Sequence, residues 1–113
     1  MSDKISFLAP FFRKYLDNRI VLSEFGGDDD LKTVACTVPG QDELERGDVI
    51  ELHLHGWRSD GHTVSLTGHP QNIGVPLGIL RRYRDLKVNV MYFVRRNGQP
   101  HGTSATLVIE IVS

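Results

Sequence analysis

At 113 residues, with 40% hydrophobic and 24% charged residues, the chain is long enough to bury a core without staples and too short for two domains. A formal net charge of −1 gives no overall field to draw it to nucleic acid or a lipid surface. The single cysteine, Cys36, excludes an internal disulfide framework; that fits a reducing compartment, or a bacterial surface protein built without disulfides.

From Met1 to Arg13 no apolar run has the length of a secretory signal core, because Pro10 and Arg13 interrupt it. Nothing approaches the ~20 apolar residues of a membrane span. A cytoplasmic location is the expectation, with export without a cleaved signal as the alternative. Within residues 4–18, Phe7, Leu8, Phe11, Phe12, Tyr15 and Leu16 recur at helical spacing. Pro10 suits a first helical turn, where its missing N–H is harmless. Residues 1–18 therefore read as an N-terminal arm that can take the form of a short helix and packs on the main domain, residues 19–113.

From Arg19 the period changes to two. Ile20, Leu22 and Phe25 alternate with Val21, Ser23 and Glu24, and Gly26-Gly27-Asp28-Asp29-Asp30 signals a turn. Residues 31–38 read as a strand with Val34, Cys36 and Val38 on one face, ended by Pro39-Gly40. A charged loop follows to Gly47. Residues 49–57 are the clearest strand, with Ile50, Leu52 and Leu54 inward. Ser59-Asp60-Gly61 is a hairpin signal and His62 to Thr67 the returning strand. Gly68 to Gly78, rich in glycine and proline, reads as a loop or irregular edge. Residues 79–86 suit a short helical turn. Residues 87–96 form a strong strand with Val88, Val90, Tyr92 and Val94 inward, and Asn97-Gly98 is the strongest hairpin dipeptide. Ser104 to Val112 closes the chain. Short strands with turns every 8–12 residues predict an all-β sandwich or small barrel.

The charges are segregated. Seven acids and two bases lie between Asp28 and Asp48, against six bases and one acid between Arg81 and Arg96. Arg81, Arg82, Arg84 and Lys87, with Tyr83, form a basic segment suited to an anionic partner. No RNA-binding motif accompanies it, so nucleic acid is not the expected ligand. Glu51, His53, His55 and Trp57 share the outward face of the 49–57 strand. Imidazoles at i and i+2 lie about 7 Å apart, within reach of one zinc, copper or iron ion; His62 and His69 could add nitrogen. The competing reading is an ordinary wet sheet face. Cys36, inward on its strand, reads as a small core residue. Ser104 has no triad partners in the sequence, and His101 reads as exposed in a hairpin loop.

Two resemblances follow from these residues. Gly47, His53, His55, Asp60 and Gly68, with Pro76-Leu77-Gly78, resemble the motifs of the cupin family, although Arg81 and Arg82 occupy the region of that family's last histidine. That resemblance implies a small metal-binding protein or enzyme holding its ion with His53, His55 and His62. Over a longer stretch, Leu8-Ala9-Pro10, Ile20 to Leu22, Val38-Pro39-Gly40, Gly47 to Gly56, Gly74 to Leu77, Val88 to Gly98 and Ser104 to Ile111 resemble the bacterial immunoglobulin-like domains repeated in large surface adhesins. This second resemblance implies an immunoglobulin-like antiparallel β-sandwich of about seven strands. It also implies a non-enzymatic binding module with no cofactor, recognising a protein or carbohydrate. The candidate contact residues are Glu51, His53, His55, Trp57, Arg81, Arg82 and Arg84. An edge strand or the aromatic arm could also support a homo-oligomer.

Overall fold

The computed structural model describes residues 5–25 and 32–113. These residues are mostly strand: β1 (Ile5–Phe7), β2 (Arg19–Val21), β3 (Thr33–Val38), β4 (Val49–Leu54), β5 (Trp57–Arg58), β6 (His62–Thr63), β7 (Gln71–Pro76), α1 (Leu77–Arg82), β8 (Leu86–Arg96), β9 (Gln99–Ser104) and β10 (Leu107–Val112). A 3₁₀ turn, Leu22–Phe25, follows β2. The all-β expectation holds. The turn expected over residues 26–30 lies outside the described residues.

β8 organises the larger sheet. Its eleven residues are long enough to hold two partners in succession on one edge, β9 beside Phe93–Arg96 and β10 beside Leu86–Val90. β4 runs antiparallel along the other edge, from Val90 to Arg95. β1 and β2 add parallel to the far edges of β9 and β10, and β5 and β6 to the far edge of β4. The sheet curls as half of a barrel. A two-stranded sheet of β3 and β7 completes the architecture.

Alternation decides which face is dry. Ile50, Leu52 and Leu54 of β4, Val88, Val90, Tyr92 and Val94 of β8, and Ile109 and Ile111 of β10 are all buried, as are Val34, Cys36 and Val38 of β3 and Ile73 and Val75 of β7. Together with Leu77 and Leu80 of α1 they form one core cluster. Asn97 and Gly98 have φ of 54° and 75°, the positive pair a tight two-residue hairpin needs.

The structure departs from the sequence reading in three places and decides one alternative that the sequence left open. Residues 5–18 form no helix: β1 pairs with β9, Phe11 exchanges two backbone hydrogen bonds with Thr37 of β3, and two turns follow at Tyr15 and Asn18. Phe7 and Phe12 are buried, so the arm's aromatics are satisfied by the core rather than by a helix face. The segment expected to be a loop or an irregular edge strand takes the second form, β7, paired on one side with β3. Its alternation is Gln71, Ile73 and Val75 inward with Asn72 and Gly74 outward. Pro76 closes the strand at a position whose backbone points away from β3, so its missing N–H breaks no ladder bond. The strand expected over residues 49–57 stops at Leu54 and turns at His55-Gly56, so that Leu54 pairs with Trp57. The strand expected from His62 to Thr67 ends at Thr63.

Candidate recognition surface

The curled sheet presents its outer face to solvent, and strand register sets what meets there, because directly opposed residues share a face. One row runs Glu51, Phe93, Thr103 across β4, β8 and β9. A second runs Met91, His53, Arg58 across β8, β4 and β5. A third places Arg95 between Val49 and Pro100. The register slips between Val94 and Arg95, so Val94 faces Gly102 while Arg95 faces Pro100; the extra residue is His101. Glu51, His53, Arg58, Phe93, Arg95 and Thr103 of these rows line an open cleft of about 350 Å³, with Pro100 and Gly102 at its β9 side.

Phe93 lies at the centre of the cleft and is 37% exposed, unusual for a phenylalanine in a sheet whose other face is a complete core. The His53 ring packs on it edge-on, centroids 4.5 Å apart at 75°. His53 Nε2 is 2.7 Å from Glu51 Oε1, and Arg58 Nη1 is 3.9 Å from the same oxygen. The Glu51 carboxylate is thus engaged from two sides. Arg95 is exposed and makes no ion pair among the described residues, whereas its neighbour Arg96 is held by Asp48 and Glu45. The cleft therefore offers an exposed aromatic ring, a hydroxyl, one carboxylate with partners and outward guanidinium groups.

The sequence-derived candidates divide. Glu51 and His53 belong to the cleft. His55 does not: it sits in the β4–β5 turn with φ 54°, donates its backbone N–H to Asn89 O, and packs its ring on Tyr83 at 4.9 Å. Trp57 takes the inward side opposite Leu54 and packs against the core. Arg81 and Arg82 lie in the last turn of α1; Arg81 and Arg84 border a separate shallow depression with Leu22 and Ser113. His62 is bound to Gln71, its Nε2 2.9 Å from Gln71 Oε1. The structure thus gives His53, His55 and His62 three separate environments. Among the described residues no group of three His, Cys, Asp or Glu side chains is placed to hold one metal ion.

Sequence reasoning missed Arg58, Phe93, Arg95 and Thr103. One signal was available: along 87–95 the outward positions read Lys87, Asn89, Met91, Phe93, Arg95, and a large aromatic there lacks a core reason. His101 and Ser104 also differ from expectation. His101 is a partly buried residue of β9, with its ring 6.1 Å from Phe7 and its Nε2 buried with no hydrogen-bond partner among the described residues. The Ser104 hydroxyl is structural: it accepts from Tyr92 N–H and donates to Ala105 O. Cys36 is fully buried, and burial pushes its thiol up to about 12. Among the described residues no helix is long and apolar enough to cross a membrane. No protein-family model matches the chain, and neither a curated protein nor a solved structure does.

Proposed function

We propose that this chain is a non-enzymatic binding module on an immunoglobulin-like scaffold, and that the outer face of its larger sheet is the recognition surface. Strand wiring supports the scaffold. In immunoglobulin-like sandwiches the second and fifth strands of the chain pair in one sheet, while the third, sixth and seventh pair in the other. With β1 and β2 as the first strand and β9 and β10 as the last, β3 pairs β7, and β4, β8 and β9/β10 lie side by side. Phe11 touches β3 where the first strand of that scaffold joins the second. The parallel pairing of β1 and β2 with the β9/β10 edge is the main difference from that wiring.

The observation that carries the functional part is Phe93, an exposed aromatic set among Arg58, Arg95 and the His53–Glu51 pair. Aromatic and arginine side chains surrounded by polar groups are the composition of interface hot spots. A metal-dependent enzyme of the cupin type would need His53, His55 and His62 on one ion, and their rings have different partners here.

The test is selection of ligands from a displayed-peptide library and a glycan array with wild type and with a Phe93→Ser/Arg95→Glu double variant. Both substitutions are at outward positions, so the double variant should keep its circular dichroism spectrum and unfold cooperatively, with a somewhat lower melting temperature from the lost Phe93–His53 contact. Ligands retained by wild type and lost by the variant support the reading. Ligand capture indifferent to both substitutions overturns it. So does near-stoichiometric metal in purified protein that disappears in His53→Ala.

A further inference from the structure

We infer that the occupant of the outer-face cleft is an extended segment of an acidic protein partner, one that places an apolar side chain and a carboxylate two residues apart. This rests on the outer face being the recognition surface and adds the chemistry of what it takes. The first support is charge. Among the described residues the carboxylates of this face have cations beside them: Glu51 lies 3.9 Å from Arg58, with His53 Nε2 at 2.7 Å, and Glu110 lies 3.6 Å from Arg19. Arg95 has no ion pair among the described residues. The chain is nearly neutral as a whole, yet this patch is left cationic, and the complementary ligand is anionic.

The second support is spacing. Phe93 and Arg95 are i and i+2 on one face of β8, so their side chains leave the strand about 7 Å apart. An extended peptide has the same two-residue period. When it lies along β8 it can set an apolar side chain on Phe93, between His53 and Thr103, while a carboxylate two residues away meets Arg95 in a bidentate pair. Residues one apart would point to opposite faces and could not make both contacts. The His53 ring already packs against Phe93, centroids 4.5 Å apart at 75°, so part of the ring is taken, which favours one apolar side chain over a stacked sugar.

The experiment uses ¹⁵N-labelled full-length protein and three synthetic peptides in a Gly-Ser host, carrying Leu-Ser-Glu, Leu-Glu-Ser or Leu-Ser-Lys. Leu-Ser-Glu should shift the backbone amide signals of Phe93, Arg95 and Thr103 and bind at least about fivefold more tightly than the other two. In Arg95→Glu the order should invert in favour of Leu-Ser-Lys, a gain that misfolding cannot produce. Equal binding of all three peptides in the cleft overturns the acidic-partner inference and leaves the recognition surface standing. An unchanged order in Arg95→Glu, or no shift at these amides with any peptide, also overturns the inference; the library and array selection then judges the surface separately.

Discussion

Arg96 clasps Asp48 through two parallel hydrogen bonds, Nε to Oδ1 at 2.8 Å and Nη2 to Oδ2 at 2.9 Å. The same guanidinium reaches Glu45 at 2.7 Å and donates to Glu43 O, and Asp48 Oδ2 accepts the Glu45 N–H. Bidentate geometry of this kind is both strong and directional. The clasp ties the loop before β4 to the end of β8, which borders the cleft at Arg95. Two consecutive arginines thus differ in setting: Arg96 is held by Asp48 and Glu45, whereas Arg95 is exposed and makes no ion pair among the described residues.

This pair predicts an acid-dependent stability. Burial would raise the Asp48 carboxyl, but the Arg96 hydrogen bonds, the Glu45 amide and the Arg96 charge outweigh it and hold the group below its ordinary 3.8. A depressed folded value means the stabilisation is full above the unfolded value and is lost as pH falls through the folded one. Asp48→Asn should therefore cost about 2 kcal/mol near neutral pH. The gap from wild type should close as pH drops below about 4. Urea unfolding across that range checks it, and a gap that stays constant contradicts the assignment.

Tyr92 ties the N-terminal segment to the core. Its hydroxyl donates to Leu8 O at 2.6 Å and accepts from Gln41 Nε2 at 2.9 Å. Chiefly by burial, its phenol is pushed up to about 12. Tyr92→Phe keeps the packing against Phe7 and removes these bonds, at a cost of about 1–2 kcal/mol. The Ala105 amide, which donates to Phe7 O, should then exchange with deuterium faster than amides of β4. Unchanged exchange at Ala105 would mean β1 is held without Tyr92.

Gly98 has φ of 75° with open space where a Cβ would be. Alanine there meets no clash and only backbone strain, so Gly98→Ala should cost about 1 kcal/mol in thermal or urea unfolding. A neutral result would show that the β8–β9 turn relaxes to another geometry.

Cys36 should be silent toward thiol reagents while the protein is folded. With the thiol at about 12 and no exposure, its thiolate is negligible at mildly alkaline pH. Labelling should follow the unfolding rate and speed up with urea. Rapid labelling of native protein would place Cys36 at the surface.

Much of the scaffold can be read from residue order. Val88 to Val94 and Ile50 to Leu54 alternate without a break, and every inward member is buried; Asn97-Gly98 marks its hairpin. Residues 68–78 read as either a loop or an irregular edge strand because Gly74 and Pro76 depress strand propensity; in β7 both face away from β3, where neither removes a ladder bond. The 4–18 arm was misread because its helical spacing of aromatics also suits a chain that crosses the core edge and turns, dropping Phe7 and Phe12 inside. Of the seven contact candidates, Glu51 and His53 reach the cleft; β4 ends at Leu54, three residues earlier than expected, and the turn there takes away His55 and Trp57.

Local order is enough for the two-residue period, the class of fold and the identity of most core side chains, since burial of alternate residues is a property of each strand taken alone. Neighbourhood on the outer face is not such a property. Phe93 meets Glu51 and Thr103 through pairings between segments far apart in the chain, and Arg95 meets Pro100 because one extra residue, His101, slips the register. A shift of one residue in either pairing would send a different set of side chains to the same surface, so the cleft exists only once those strand edges have met.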